Sequence, residues 1–470
     1  MGKVTKNIVL TDLEIVDTSA EGKSVARHEG MVVFCEGGVP GDIVDIHIHR
    51  KKNKFAEGKV IAIKKESQDR VKAVCKHFGT CGGCKWQNLS YSSQLHFKQK
   101  FVSDALIRIG HLEFPEMLPI LGNDEAYFYR NKLEFSFSNK KWLTTEQIKS
   151  GEEIENNSAL GFHIPGRFDK VLNIEECHLQ AEPSNSIRNF VRDYAFKNDL
   201  TFFNIKDKGG FLRTLMIRTT GIGEVMVVVS VYEWLEKELF ALLDALKENF
   251  PQITSLQYVH NAKANDSFEG TDIKVYHGRP FIYEEMEGLK FKISAKSFYQ
   301  TNSKQAYNLY KITRDFAELK GNELVYDLYT GTGTIANFIA RNCKKVIGVE
   351  YVEDAVKDAF ENSKINNIEN TFFVSGDMKD VLNDDFITQH GKPDVIIADP
   401  PRAGMHEDVV KVILNAAPEK VVYVSCNPST QARDLALMKD HYKIIKVQPV
   451  DMFPQTAHVE NVVLLEKIKH

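Results

Sequence analysis

The stretch LVYDLYTGTGTIANFIARNCKKVIGVE, residues 324–350, decides the fold. Its first five residues, 324–328, are apolar enough for a buried strand, and Gly331 and Gly333 follow closely. Glycines at this point permit a tight turn from a strand into a helix and a close approach of the backbone to a ligand. A second apolar strand is predicted at 345–350. The stretch therefore predicts a strand–turn–helix–strand unit with a ligand site at the turn.

The same alternation of strand and helix continues toward the C-terminus. Further strands are predicted at 371–375, 394–398 and 421–425, with helical stretches between them. Such alternation is typical of an α/β domain with a doubly wound parallel sheet. The last two strands, 443–449 and 459–467, have no helix between them. The final strand is therefore expected to run antiparallel to the others.

Acidic residues follow several of these strands. Glu350 ends the second strand, and Asp399 follows the fourth. The turn lacks the complete GxGxxG pattern of dinucleotide-binding proteins, and the sequence contains no GxxxxGK[ST] phosphate-binding loop. This succession resembles the class I methyltransferases that use S-adenosylmethionine (SAM). Carboxylates at several strand ends suit the adenosine hydroxyls and the sulfonium cation of SAM, although each acid alone could equally be a helix cap or a loop ion pair.

A cysteine and a glutamate are expected to meet at the cofactor crevice. Ligands of open parallel sheets bind outside the carboxyl ends of the strands, so Cys426 and Asp399 should both face that crevice. An antiparallel last strand would begin at the same edge and bring Glu460 close to Cys426. Beside a methyl donor, the pair suggests covalent catalysis on uracil: a thiolate adds to C6, C5 becomes nucleophilic, and a carboxylate removes the C5 proton. Taken singly, Cys426 is better explained as a small buried core residue, the usual place of cysteine, and Glu460 could be a surface charge on an edge strand.

Five motifs together closely resemble the RNA uracil-5-methyltransferase family over nearly the whole chain. They are SCNPST (425–430), HVENVVLL (458–465), ADPPRAG (398–404), FYQTN (298–302) and YRNKLEF (129–135). The resemblance implies that Cys426 is the nucleophile and Glu460 the base, acting on a uracil extruded from its stack. It also implies that SAM is contacted by Gln300, Tyr329, Glu350 and Asp399.

The first 66 residues are predicted to form a small β-barrel. Short apolar runs alternate there with glycine and proline and show no helical period. The segment resembles a TRAM domain, a small RNA-binding barrel. A basic cluster at the end of one strand fits either phosphate contacts or a solvated loop, and it consists of Arg50, Lys51, Lys52 and Lys54.

An amphipathic helix is predicted at 92–109, and its apolar stripe needs a partner, which the C-terminal domain is expected to supply. The stripe consists of Leu95, Phe101, Val102, Ala105, Leu106 and Ile109. Three domains are therefore expected: a TRAM-like barrel at 1–66, a central α+β domain at 67–90 and 122–286, and a methyltransferase domain at 91–121 and 287–470.

Four of the seven cysteines lie in two motifs of the expected central domain, CKHFGTCGGC (75–84) and EECHL (175–179). Four thiols suit either a structural zinc ion or a [4Fe–4S] cluster, and the spacing alone leaves both open, along with four unrelated thiols. The family resemblance favours a [4Fe–4S] cluster, as in its ribosomal-RNA members. A structural or RNA-positioning role is expected, because methylation moves no electrons. The predicted ligands are Cys75, Cys81, Cys84 and Cys177.

The composition limits the class of protein. The 470 residues are 43% hydrophobic and 26% charged, with a net charge of −4, which excludes a disordered or disulfide-scaffold protein. Any basic surface for RNA has to be local. No apolar run approaches the roughly 20 residues of a membrane span, and the N-terminus lacks the apolar core of a signal peptide. We therefore expect a cytoplasmic monomer that binds no membrane.

The predicted function is SAM-dependent C5 methylation of a uridine in RNA. A TRAM domain together with four cysteines favours 23S ribosomal RNA, since the transfer-RNA members of the family typically lack both. Methylation of transfer RNA stays open, as does a non-catalytic RNA-binding or assembly factor, against which the intact Cys426, Glu460 and Asp399 argue. A radical-SAM enzyme that modifies RNA is disfavoured, because the chain lacks the CxxxCxxC loop that such an enzyme needs.

Overall fold

The N-terminal part of the protein is a closed barrel. The structure is a computed structural model that describes residues 8–151 and 156–469. The barrel strands are β1 (Ile8–Thr18), β2 (Ser24–His28), β3 (Met31–Glu36), β4 (Ile43–Lys51) and β5 (Phe55–Lys65). They close in the order β1-β2-β3-β5-β4, with β1 pairing both β2 and β4. Val44, Ile46 and Ile48 point into the barrel, as the two-residue period of a strand requires. The predicted small β-barrel is confirmed.

A long helix follows the cysteine motif at 75–84. Helix α1 (Tyr91–Arg108) begins after Ser90, whose side chain accepts a hydrogen bond from the amide of Ser93. This confirms the predicted helix. Its apolar face packs into the core of the C-terminal sheet through Val102, Ala105 and Leu106.

The same helix differs from the predicted apolar stripe in one respect. Ile109 is 49% exposed, whereas the polar side chains of Gln94 and Lys98 are fully buried. They are buried because this end of the helix packs against a loop near residue 455, whose backbone groups need polar partners. The expectation that Ile109 belongs to the buried stripe was wrong.

A seven-stranded sheet forms the middle of the protein. Its strands are β6 (Lys132–Ser138), β7 (Ala159–Ile164), β8 (Arg167–Asn173), β9 (Leu212–Thr219), β10 (Val225–Val231), β11 (Ile253–His260) and β12 (Ile273–Gly278), in the order β12-β11-β10-β9-β6-β7-β8. The helices of this region are α2 (Thr145–Ser150), α3 (Ser184–Lys197) and α4 (Glu236–Asn249). The last two bury their apolar faces against the sheet. A hairpin of β13 (Phe281–Met286) and β14 (Leu289–Ser294) follows.

The C-terminal region is a second seven-stranded sheet with helices on both faces. Its strands are β15 (Leu324–Leu328), β16 (Lys345–Glu350), β17 (Thr371–Ser375), β18 (Val395–Ala398), β19 (Lys420–Ser425), β20 (Tyr442–Val450) and β21 (Glu460–Lys467). Its helices are α5 (Ser303–Ala317), α6 (Thr334–Ile339), α7 (Glu353–Ile365), α8 (Met378–Val381), α9 (Asp384–His390), α10 (Glu407–Ala416) and α11 (Pro428–Met438), with a 3₁₀ turn at Ala340–Asn342. The strand order is β17-β16-β15-β18-β19-β21-β20.

The direction of the last strands decides where the site lies. Strands β15 to β19 are parallel to one another, whereas β21 runs antiparallel to β19 and to β20. The carboxyl ends of the parallel strands and the start of β21 therefore meet at one edge. This confirms the predicted multi-domain fold with a doubly wound sheet and an antiparallel last strand. No helix in the two described ranges is both long and apolar enough to cross a membrane.

Candidate active site

The turn after β15 is shaped to receive a ligand. Tyr329, Gly331 and Gly333 all have positive φ angles, of 63°, 56° and 72°. The two glycines adopt this conformation without strain. The carboxylate of Glu350, at the end of β16, accepts hydrogen bonds from the amides of Gly331 (3.0 Å) and Val352 (2.9 Å). Glu350 thus fixes the glycine turn beside the opening of the crevice.

Two further carboxylates, Asp327 and Asp399, lie in this crevice, and burial raises the pKa of both. Asp327 is fully buried and accepts a hydrogen bond from the Thr330 hydroxyl, while its Oδ1 atom has no partner among the described residues. Burial raises the pKa of Asp327 to about 7, and the charges of Asp399 and Glu350 add to the effect. Burial also raises the pKa of Asp399 to about 7. A cationic ligand with hydroxyl groups would relieve both carboxylates, so the crevice fits SAM.

Cys426 and Glu460 lie on neighbouring strands at this edge. Cys426 directly follows β19 and Glu460 begins β21, and the register pairs Ser425 with Asn461. Cys426 is half-buried, whereas Glu460 is almost fully buried. The structure therefore brings together the two residues that the topology was predicted to bring together.

The electrostatics of the pair follow from their surroundings. Burial raises the pKa of the Cys426 thiol to about 11, and the charges of Glu460 and Asp399 add to it. Burial raises the pKa of Glu460 to about 8, and the charge of Asp399 adds to it. The Arg402 guanidinium opposes both shifts. The thiol, both carboxylates and Arg402 are therefore close enough to influence one another through their charges.

Gln300 and Tyr329, the other two predicted SAM contacts, lie in the loop before α5 and in the turn after β15. Tyr329 is half-buried at the glycine turn. Gln300 is also half-buried, and its carbonyl accepts a hydrogen bond from the Asn131 side chain (2.9 Å). The neighbouring Asn302 side chain donates to the carbonyl of Met452 (2.9 Å). The FYQTN loop is therefore tied both to the middle sheet and to the loop that leads to Glu460.

Two residues of this site, Asp327 and Arg402, are not among those predicted from the sequence. Both lie inside motifs named above, one at the end of the first strand and one after the fourth. The available signal was topological, because any polar residue at the carboxyl end of a parallel strand faces the crevice. Only the coordinates show that Arg402 acts on Cys426 and Glu460 through its charge.

The four cysteines of the predicted cluster lie near one another. Burial, together with the charges of the other three thiols, raises the pKa of Cys84 to about 12. Burial also raises the pKa of Cys81, and the charges of Cys177 and Cys75 add to that effect. However, within residues 8–151 and 156–469 no group of three or more His, Cys, Asp or Glu side chains is placed to hold a metal ion. The four thiols lie near one another, but in this arrangement they do not form a set of metal ligands.

Comparisons with known proteins fit this combination of fold and crevice. The family described as tRNA (Uracil-5-)-methyltransferase matches residues 272–468, and the TRAM domain matches residues 11–61. An RNA methyltransferase of Bacteroides thetaiotaomicron is 57% identical over 451 residues, covering 95% of this chain and 99% of the relative. One of Porphyromonas gingivalis is 55% identical over 460 residues, covering 96% and 99%.

One solved structure matches along the full length. It is the Pyrococcus abyssi tRNA (uracil-54, C5)-methyltransferase in complex with S-adenosyl-L-homocysteine, 27% identical, with a TM-score of 0.74 and coverage of 97% of this chain and 100% of that one. An RNA-binding barrel joined to a SAM crevice defines the class, a SAM-dependent RNA methyltransferase. Within that class, the chain belongs to the RNA uracil-5-methyltransferase family.

Proposed function

We propose that the protein methylates C5 of a uridine in RNA by covalent catalysis through Cys426 and Glu460. The observation that carries this proposal is the meeting of a thiol and a buried carboxylate on neighbouring strand ends, next to the crevice that fits SAM. When bound, SAM supplies an electrophilic methyl group on its sulfonium. Gln300, Tyr329, Glu350 and Asp399 are the residues proposed to hold it.

The proposed steps use each side chain once. Cys426 gives its thiol proton to solvent and its sulfur adds to C6 of an extruded uracil, which moves the C5–C6 π electrons toward C5 and O4. Those electrons form the bond between C5 and the methyl carbon of SAM, while the bond from that carbon to the sulfonium sulfur breaks and leaves its electron pair on the sulfur. Glu460 accepts the C5 proton, the C5–C6 double bond forms again, and the sulfur leaves C6 with the bonding pair. Arg402 favours both the thiolate and the ionised Glu460, because its charge lowers both pKa values.

Two substitutions separate these roles. Cys426→Ala should bind RNA and SAM but form no covalent adduct. Glu460→Gln should add the thiol and take up the methyl group, and then release RNA about 10²–10⁴-fold more slowly, the usual cost of losing a general base. A denaturing gel with methyl-labelled SAM detects the stalled adduct. A 5-fluorouridine substrate should trap the wild-type protein in the same way, because fluorine cannot leave as a proton.

A matched control for the nucleophile is Cys343→Ala. Cys343 is another thiol of the C-terminal region, and it is buried in a core cluster away from the crevice. This variant should keep wild-type adduct formation. Methylation by Cys426→Ala at the wild-type rate, or no adduct from Glu460→Gln under any condition, would show that the assigned roles are wrong.

We propose 23S ribosomal RNA as the substrate, on the ground of the resemblance to the ribosomal-RNA members with a TRAM domain and four cysteines. Transfer RNA is the second candidate, because the solved Pyrococcus abyssi relative is named for uracil-54 of tRNA and is covered end to end by this chain. The overall architecture therefore does not separate the two substrates. Mass mapping of 5-methyluridine in both RNAs, with and without the gene, decides between them.

We also propose that Cys75, Cys81, Cys84 and Cys177 hold a [4Fe–4S] cluster with a structural role. The support is the convergence of the four thiols, together with the preference of such clusters for four thiolates. Protein purified without air should be brown, and Cys81→Ser or Cys177→Ser should lose the colour and much of the stability. A colourless protein with one equivalent of zinc would overturn the assignment in favour of a zinc site.

The remaining proposals concern organisation. We propose that the chain acts as a cytoplasmic monomer, which light scattering of the purified protein and cell fractionation test. The division into 1–66, 67–90 with 122–286, and 91–121 with 287–470 is proposed from the sequence, and limited proteolysis tests it. Cuts should concentrate near these boundaries, where domains are joined by exposed segments.

A further inference from the structure

The loop that precedes Glu460 is almost entirely buried. This base loop, residues 451–459, joins β20 to β21, and Val450 pairs directly with Glu460. Among its residues only Phe453 and His458 are exposed to any substantial extent. Because the two ends of the loop are paired with each other, the conformation of the loop influences the position of the Glu460 backbone.

Gln455 is the most constrained residue of the base loop. It is buried and has a φ of 67°, a left-handed conformation that residues other than glycine rarely adopt and that surrounding contacts have to maintain. Gln94 of helix α1 supplies those contacts in both directions. The Gln455 amide donates to Oε1 of Gln94 (2.9 Å), and Nε2 of Gln94 donates to Oε1 of Gln455 (3.0 Å).

The cysteine motif holds Gln455 from another side. The carbonyl of Gln455 accepts hydrogen bonds from the amides of Lys85 (2.8 Å) and Trp86 (3.1 Å), the two residues that follow Cys84. Gln94 also donates to the carbonyl of Trp86 (3.0 Å). Helix α1, the cysteine motif and the base loop therefore meet at a single pair of glutamines.

We propose that Gln94 and Gln455 are positioning residues for Glu460. By fixing the turn of the base loop, the pair holds the Glu460 carboxylate where it meets the C5 proton of the methylated adduct. There Glu460 takes the proton, the C5–H electron pair forms the C5–C6 double bond, and the C6–S bond breaks with its pair going to Cys426. The proposal rests on the function proposed above, and it concerns only this last step.

The test uses Gln94→Met in the full-length protein, because methionine keeps the shape of glutamine but removes its hydrogen bonds. Adduct formation in a single turnover should stay close to the wild-type rate, and the KM for SAM should not change. Release of methylated RNA should slow by about tenfold or more, an increase in barrier of about 1.4 kcal/mol, so that the adduct accumulates. A merely structural defect would reduce the active fraction and lower all steps together without accumulation.

Asn370→Ala is the matched control. Like Gln94, the Asn370 side chain donates to backbone carbonyls, those of Ala340, Cys343 and Lys344, but it lies at the opposite edge of the sheet, before β17. This variant should release RNA at the wild-type rate. Gln455→Gly is the second variant for the case that Gln94→Met does not fold. Glycine adopts the left-handed conformation freely and keeps both the carbonyl that Lys85 and Trp86 need and the amide that donates to Gln94. The variant therefore loses the side-chain hydrogen bonds of Gln455 to Gln94 and to the carbonyl of Ala126.

Glu460→Gln, measured alongside, separates the two possible failures. Adduct accumulation in Glu460→Gln and in either glutamine variant supports the positioning role. Accumulation in Glu460→Gln, with wild-type release in both Gln94→Met and Gln455→Gly, overturns the positioning role and leaves the proposed function intact. No adduct in Glu460→Gln overturns the proposed function, and the positioning role falls with it.

Discussion

Replacing Lys98 by methionine should destabilise the protein far more than the loss of an ordinary surface ion pair. Both Lys98 and Asp451 are completely buried, and the Lys98 ammonium lies 2.5 Å from Oδ1 of Asp451. It also donates to the carbonyl of Phe453 (3.0 Å). Methionine keeps most of the alkyl chain but leaves the Asp451 carboxylate, among the described residues, with the Tyr91 hydroxyl and the Phe453 amide as its remaining partners.

The expected magnitude follows from the burial of both groups. Removing one partner of a buried pair leaves an uncompensated charge and costs about 3–5 kcal/mol of unfolding free energy. Lys411→Met is the matched control, since Lys411 pairs with Asp408 at 2.8 Å with side chains that are 67% and 50% exposed. That exposed pair is worth about 0–1 kcal/mol. The double variant Lys98→Met/Asp451→Asn should lose less than the sum of its two single changes, because it leaves no unpaired charge.

Trp86 supplies a local probe for the measurement. Its ring lies 5.9 Å from the Lys98 ammonium, and the protein has three tryptophans in total. In a background with Trp142→Phe and Trp234→Phe, fluorescence during urea unfolding reports on the region around the pair. A Lys98→Met variant that loses no more unfolding free energy than Lys411→Met, or single changes that simply add in the double variant, would refute the reasoning.

Three further outcomes are expected. Alkylation of Cys426 in the free protein should rise about tenfold per pH unit between about pH 7 and 10, because only the thiolate reacts and a pKa of about 11 leaves the thiol mostly protonated throughout that range. Glu460→Gln should speed alkylation at about pH 9, because it removes a negative charge that raises the pKa of the thiol. A flat pH profile measured by mass spectrometry would contradict this. Asp399→Asn should weaken SAM binding by roughly tenfold or more, the value of a hydrogen bond to a charged group, and calorimetry showing unchanged affinity would reject its role. Replacing the basic cluster of Arg50, Lys51, Lys52 and Lys54 by glutamine should reduce the slope of log K for RNA binding against log salt concentration by roughly 0.7 per lost phosphate contact. An unchanged slope in filter binding would indicate that the cluster is a solvated loop.

The sequence was sufficient to predict how Cys426 and Glu460 come together. The absence of a helix between the last two strands implied an antiparallel strand, and that direction alone places Glu460 at the edge where β19 ends. Strand direction and the two-residue period are local properties of the chain. These properties are sufficient to predict the fold and the placement of Cys426 and Glu460 without any knowledge of side-chain contacts.

The polar interior could not be predicted in the same way. Periodicity assigns Lys98 and Gln94 to the solvent face of a helix, and only the polar groups of the base loop, more than 350 positions away, make their burial favourable. The cysteines show the same limit. The two motifs predict that four thiols could meet. Whether those thiols form a set of metal ligands depends on how loops 75–84 and 175–179 approach each other.

The contact between Lys98 and Asp451 also affects the order in which parts of the protein can fold during synthesis. The two residues are 353 positions apart, so at about 5–20 residues per second the ribosome needs roughly 20–70 s to supply the second after the first. During that interval the Lys98 ammonium lacks its carboxylate partner, and Gln94 lacks its hydrogen bonds to Gln455. The crevice can therefore be completed only after the base loop has been synthesised, and a nascent protein that has already folded its barrel has no working methylation site before then.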